Sequence, residues 1–296
     1  MEFYKNNNYK MKYKNKHIDN NKELRIVTYM TPSLSTEIYL TLAKYLVEFL
    51  EYNSVTLYIE TKYSGPPDDK NNPFIKHDLI EPIDIGFMCS PPYLKNKKYL
   101  ELIPYAPIFM DKDINNIPIY FSDVITLKEY YYINTFNDFK NKIWVYNDEE
   151  SLSGYYSTLY KLSKLNTNTN FFSKFKKSNS HLNSINALLN KKITGTAIDS
   201  NVLNYYLKNN PYRRNQIKII ERWGPHGVQP IVMRKTLDNN IKKQIIKAFE
   251  NIPETIIYKL NKYLIKGFGK INDNFYVNEI NILKQSNLNV RENISV

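Results

Sequence analysis

Leu24-Arg25-Ile26-Val27-Thr28-Tyr29 is a short β-rich run, and the two segments that follow it decide the fold. Pro32-Ser33 breaks the run and leads into Glu37–Glu51, where Ile38, Leu42, Tyr45, Leu46 and Phe49 recur at helical spacing. A second β-rich run, Val55–Glu60, comes next. Strand, helix and strand in this order predict parallel strands joined by a right-handed crossover. Upstream, residues 1–23 are mostly Asn, Lys and Tyr with almost no periodic apolar positions, which predicts a solvated, disordered tail.

Downstream the alternation continues. Ile83–Met88 reads as a buried strand, Ser90-Pro91-Pro92 as a turn into a short helix around Tyr93–Leu100, and Leu102–Met110 and Ile117–Thr126 as strands. Helix signals at Asn137–Lys140 precede a strand Ile143–Tyr146, a Ser/Gly turn at 151–154 and a helix through Leu165. Ser180–Asn190 reads as a helix, Gly195–Ile198 as a strand and Val202–Lys208 as a helix. Strand-like runs at Ile217–Glu221 and Gln229–Met233 lead to amphipathic helices near 237–250 and 254–265. The pattern predicts an α/β fold of two lobes, each an open, mostly parallel sheet flanked by helices. The chain is expected to cross near 117–128 and to return near 217–230. That puts 24–122 with 223–285 in lobe I, 123–222 in lobe II and 286–296 in a tail.

The formal net charge of +12 raises polyanions as partners, but its source argues otherwise. Lys outnumbers Arg 35 to 6, and the chain carries 39 Asn and 26 Tyr, the residues that A/T-rich codons specify. The composition resembles that encoded by an A/T-rich eukaryotic genome, and Arg, which clamps phosphates and reads guanine, is scarce. No nucleic-acid module is legible, so a nucleic-acid partner is not expected. No apolar run is long enough to span a membrane, and the polar start lacks a signal-peptide core, which predicts a cytoplasmic chain without stable membrane association. Cys89 is the single cysteine, so no internal disulfide forms and a Cys-based zinc site is excluded. His17, His77, His181 and His226 have no metal-ligand spacing, and no dinucleotide or P-loop fingerprint occurs, so neither metal nor cofactor is expected.

Several stretches can carry chemistry. After strand Ile143–Tyr146, Asn147-Asp148-Glu149-Glu150 turns into Ser151-Leu152-Ser153-Gly154-Tyr155. A helix start with free N–H groups and two hydroxyls attracts an anion, but on this segment alone an ordinary Ser cap is the commoner reading. The three acidic residues before Ser151 oppose an anion unless they point away. Ser180-His181 opens another helix, where His181 could donate to an oxyanion or simply sit at the surface. Asp199 stands at a strand's carboxyl end, as a ligand contact or as an N-cap. In lobe I, Tyr29 and Tyr93 could wall a pocket, and Thr31 and Ser90 could donate to a ligand; Cys89 reads as packing.

In order and spacing these segments resemble the phosphate/phosphonate-binding proteins of ABC transporters, which have the type II periplasmic-binding fold. The resemblance rests on Leu24–Tyr29, Asp84–Met88 with Ser90-Pro91-Pro92-Tyr93, Ile143–Tyr146 with Ser151-Leu152-Ser153-Gly154, Ser180-His181, Gly195–Asp199, and Trp223-Gly224-Pro225 through Lys235. It implies two lobes on a two-stranded hinge that close over a small ligand. It also implies that Ser151, Ser153 and the amides of Gly154 and Tyr155 hold phosphoryl oxygens, with His181, Asp199, Tyr29, Thr31, Ser90 and Tyr93 completing the site.

The leading reading is therefore a solute-binding-protein-like module for a small anionic or zwitterionic ligand: a phosphonate, phosphate or phosphate ester. The rival is a small-molecule-metabolising enzyme on the same fold with His181 and Asp199 as acid and base, although no nucleophile–base–orienter set is legible. The oligomeric state is left open.

Overall fold

A computed structural model describes residues 2–4, 8–12, 22–67, 72, 74, 82–113 and 115–291. In chain order the strands and helices are β1 (Glu2–Tyr4), β2 (Asn8–Lys12), β3 (Glu23–Thr28), α1 (Thr36–Phe49), β4 (Ser54–Ile59), β5 (Ile85–Phe87), α2 (Ser90–Lys95), β6 (Leu100–Leu102) and β7 (Tyr105–Phe109). Then follow β8 (Ile119–Leu127), β9 (Ile143–Tyr146), α3 (Ser157–Lys164), β10 (Lys174–Lys177), α4 (His181–Leu189), β11 (Gly195–Asp199) and α5 (Ser200–Asn209). The chain closes with β12 (Ile217–Gly227), β13 (Ile231–Arg234), α6 (Asn239–Glu250), α7 (Glu254–Asn261), β14 (Ile265–Lys270) and α8 (Val277–Arg291).

Two compact units divide these elements. The first comprises Met1–Met110, Asn115–Pro118 and Val228–Asp273; the second comprises Asp111–Ile114, Ile119–Gly227 and Asn274–Val296.

The first unit holds a seven-stranded sheet in the order β1-β2-β4-β3-β5-β13-β6 and a two-stranded ladder of β14 with β7. Its centre is the parallel trio β4-β3-β5, the product of the strand–helix–strand segment at 24–60, and the strands outside the trio pair antiparallel. Helix α1 buries Ile38, Leu42, Ala43 and Leu46, the helical-period face, and Ser35 caps its start by accepting the Glu37 N–H. Tyr45 donates its hydroxyl to the Ala248 carbonyl at 2.8 Å, which ties α1 to α6.

The second unit is a five-stranded sheet in the order β10-β9-β11-β8-β12. β10, β9 and β11 are parallel and joined through α3 and α4, while β8 runs antiparallel to them and β12, antiparallel to β8, closes the sheet. Its core is aromatic. Trp144, fully buried, stacks on Phe172 at 5.1 Å and meets Phe139 edge-on at 5.1 Å. Gly195 lies so close to the Phe139 ring that a Cβ there would approach it to 2.3 Å, so β11 passes this core only with glycine.

Three sequence expectations are corrected. The leading segment is not wholly a tail, because Asn8–Lys12 pairs antiparallel with β4 and buries Met11; residues 13–21 lie outside the described residues. Residues 111–113, 119–122, 223–227 and 274–285 belong with the second unit rather than lobe I. Residues 286–291 end helix α8 instead of forming a tail, and Ser286 Oγ donates to the Tyr156 carbonyl at 3.1 Å; residues 292–296 lie outside the described residues.

Candidate ligand-binding site

Parallel pairing puts the carboxyl ends of β10, β9 and β11 on one edge of the second unit's sheet, and each is followed by a turn into a helix. This edge is where open α/β sheets collect ligand-contacting groups. It carries Ser151 to Tyr155 after β9, Ser180 and His181 after β10, and Asp199 at the end of β11.

The turn after β9 is wider than an ordinary helix start. Leu152–Tyr156 forms one π-helical turn in which the Ser151 carbonyl accepts N–H groups from both Tyr155 at 3.3 Å and Tyr156 at 3.1 Å. Ser151 Oγ accepts the Gly154 N–H at 3.2 Å, so Ser151 is the N-cap. The Gly154 and Tyr155 amides, assigned to phosphoryl oxygens by the resemblance, are thus spent inside the turn. Leu152 and Ser153 are the first-turn residues with no carbonyl one turn back to bond. Gly154 has no alternative, since a Cβ there would come within 2.0 Å of Asn147 Oδ1.

Ser153 and His181 are both buried, and Ser153 Oγ lies 3.1 Å from His181 Nε2. Burial pushes the His181 imidazole down to about 3, so the ring is neutral at physiological pH. Its Nδ1 is buried without a partner. Either tautomer leaves the pair one proton to offer. If Nε2–H donates to Oγ, the serine hydroxyl proton is free; if Oγ–H donates to Nε2, the ring proton sits on Nδ1. A ring that protonates only near pH 3 supplies no general acid at neutral pH, which weighs against the acid–base reading.

Two acidic side chains of the turn before Ser151 are engaged locally. Glu149 is ion-paired with Lys177 at 2.5 Å and accepts the Tyr146 hydroxyl at 3.1 Å. Asp148 is buried, and its Oδ1 accepts the Glu150 N–H at 2.8 Å. Tyr155 packs against Tyr146, with ring centroids 4.7 Å apart.

Asp199 caps α5, accepting N–H groups from Asn201 at 2.8 Å and Val202 at 3.4 Å. Beside it stands a residue sequence reading missed. Asn201 is 2% exposed, and neither its Oδ1 nor its Nδ2 has a partner. Leaving both ends of a buried amide unpaired costs about 1–3 kcal/mol per group, so its place at this edge makes it a candidate ligand contact. Asn147 differs: its Nδ2 donates to Asp148 Oδ2 at 3.4 Å, and its unpartnered Oδ1 is packed next to Gly154. One Asn among 39 carries no signal in the sequence.

In the first unit, Thr28 and Phe87 align across β3 and β5, so the segments that follow them start side by side. They carry Tyr29 and Thr31, and Cys89 and Ser90 at the start of α2. Thr31 Oγ1 and Ser90 Oγ are both buried without partners. Tyr29 and Tyr93 are buried, and Lys97 sits 5.6 Å from the Tyr93 ring centroid. Cys89 is buried and precedes α2. Among the described residues no group of three or more His, Cys, Asp or Glu could hold a metal ion, and no helix is long and apolar enough to cross a membrane.

Two units of mixed sheet flanked by helices, with capping hydroxyls gathered at the carboxyl ends of parallel strands, define a periplasmic-binding-type protein. The chain belongs to the family described as ABC transporter, phosphonate, periplasmic substrate-binding protein, whose model it matches over residues 24–276. Its fold is similar to a binding protein component of an ABC phosphonate transporter from Pseudomonas aeruginosa, with TM-score 0.73 and 16% identity over 90% of this chain and 87% of that one. It is also similar to PhnD1 from Prochlorococcus marinus in complex with methylphosphonate, with TM-score 0.72 and 18% identity over 90% of this chain and 99% of that one. A Xanthomonas citri protein bound to ATP shares the fold at TM-score 0.64 and 10% identity, over 92% of this chain and 99% of that one. No curated protein matches the chain.

Proposed function

We propose that the second unit's strand-end edge binds the acid head of a small phosphonate, phosphate or phosphate ester. The observation that carries this reading is the buried Ser153–His181 pair, neutral and holding an unspent proton beside the Ser151-capped turn. Hydroxyl and imidazole donors in a water-poor setting hold an oxyanion without a fixed positive charge. Asp199 and Asn201 then face the ligand's other end, which favours an amino or hydroxyl group there. Membership of a phosphonate substrate-binding family supports the ligand class. Thr31 and Ser90 are hydroxyls of the same kind in the first unit, and their substitution tests whether ligand contact extends to that unit.

Calorimetry with methylphosphonate, inorganic phosphate and an aminoalkyl phosphonate tests the reading. Saturable binding of at least one, weakened about tenfold or more by Ser153→Ala, is expected. Unchanged affinity in that variant would remove the seat.

A further inference from the structure

A second cavity, of about 380 Å³, lies within the second unit between α3, β12 and α8, and its lining includes Ser157, Lys161, Lys164, Trp223, His226 and Asn278. It shares no lining residue with the Ser153–His181 edge.

At one side is a histidine in the same kind of setting as His181. His226 is 2% exposed, with Nε2 at 3.1 Å from Ser122 Oγ and 3.3 Å from Ser157 Oγ. Ser122 Oγ donates to Ser157 Oγ at 3.2 Å, so either Ser157 donates to Nε2 and the ring proton sits on Nδ1, or Nε2–H donates to the serines and the Ser157 proton is free. That Nδ1 has no partner. Burial lowers the imidazole to about 4, so the ring is neutral at physiological pH.

Among the described residues no carboxylate lines the cavity, while three cations do: Lys161, Lys164 and Arg222. Two are committed. Arg222 is held by Asp111, Asp113 and Asp123, and Lys161 by Glu221 at 2.7 Å. Lys164 has only the Tyr160 ring, 5.0 Å from its Nζ to the centroid, and stays available for an incoming acid. Trp223 and Tyr160 supply flat apolar surface.

We infer that this cavity is a second ligand site, for a small aromatic anion whose ring lies against Trp223 and whose acidic group reaches Lys164, with the His226–Ser157 pair giving one neutral hydrogen bond. The volume suits a compact organic molecule rather than a bare ion.

Tryptophan fluorescence with phenyl phosphate as probe tests the site, because the chain has two tryptophans and only Trp223 lines the cavity. A saturable change is expected, absent in Trp223→Phe, about tenfold weaker in Lys164→Gln and unaltered in Ser153→Ala. Benzoate separates a carboxylate from a phosphate head, inorganic phosphate removes the ring, and phenol removes the charge. Equal affinity for phenol and phenyl phosphate would overturn the anion assignment. No saturable change at millimolar probe, or one lost in Ser153→Ala but not in Lys164→Gln, would overturn the site. Lys164 is exposed and makes no hydrogen bond or ion pair, so its substitution keeps the fold and the test decisive.

Discussion

Ser153 Oγ stands 3.1 Å from His181 Nε2 with both side chains buried, so each depends on the other for a hydrogen-bond partner. Removing the ring should cost ligand affinity even if the ring never touches ligand, because Ser153 loses the group that orients its proton. His181→Phe is expected to weaken methylphosphonate about tenfold or more, read by calorimetry. Ring NMR of the parent protein should show no His181 midpoint between about pH 5 and 8, and a midpoint near the ordinary value would sink the neutral-donor assignment. The stability sign follows from the same shift. The unfolded ring takes a proton near 6.5 and the folded ring only near 3, so His181 destabilises the fold progressively as pH drops below 6.5.

Gly154→Ala places a methyl where Asn147 Oδ1 already stands, at 2.0 Å. Although alanine favours helix, the single variant is expected to lose about 1–3 kcal/mol in chemical denaturation. Truncating the obstacle should reverse that loss. The Asn147→Ala, Gly154→Ala pair is therefore expected to be more stable than the sum of its single variants, and strict additivity would show that the two residues do not collide.

Asn201, Ser90 and Thr31 hold buried polar atoms with no partner, so their removal should affect the free and liganded protein differently. Asn201→Leu, Ser90→Ala and Thr31→Val are expected to leave the Tm of the free protein unchanged or raised, since an unpaired polar group stabilises nothing. Ligand contacts among them should at the same time lose about tenfold in affinity. A variant that lowers Tm without touching affinity identifies a structural role instead.

Glu279 is fully buried, accepts the Gly227 N–H at 2.6 Å, and is pushed up by burial to about 7. Its folded form therefore holds a proton that the unfolded chain releases above about 4.5. Stability from this group is fully present below 4.5 and is lost as pH rises through 7. Glu279→Gln, neutral at every pH, is expected to flatten that slope in denaturation curves taken between about pH 5 and 8. An unchanged slope would place the titration elsewhere.

The sequence made some elements plain and hid others for identifiable reasons. Ile143–Tyr146 was legible to the residue, because a compact apolar run is bounded by polar turns on both sides. Strand β10 is Lys-Phe-Lys-Lys, an edge strand with three lysines, and offers no apolar period to read. Helix α8 was hidden more subtly. Tyr276, Glu279, Ile282 and Ser286 are buried at helical spacing, but two of the four are polar, so apolar periodicity fails although burial follows it. Ser153, His181 and Asp199 stood out as hydroxyl, imidazole and carboxylate at element boundaries. Their pairing, and the roles of Asn147, Asn201 and His226, depend on contacts across strands that linear spacing does not record.

Because Glu279 bonds Gly227 and Ser286 bonds Tyr156, the second unit is closed by residues far downstream of its sheet. A ribosome delivers β8 to β12 first and α8 only after the intervening first-unit segment Val228–Asp273. The nascent sheet thus waits with its α8-facing surface uncovered while some fifty residues are added, an interval in which a chaperone has something to hold.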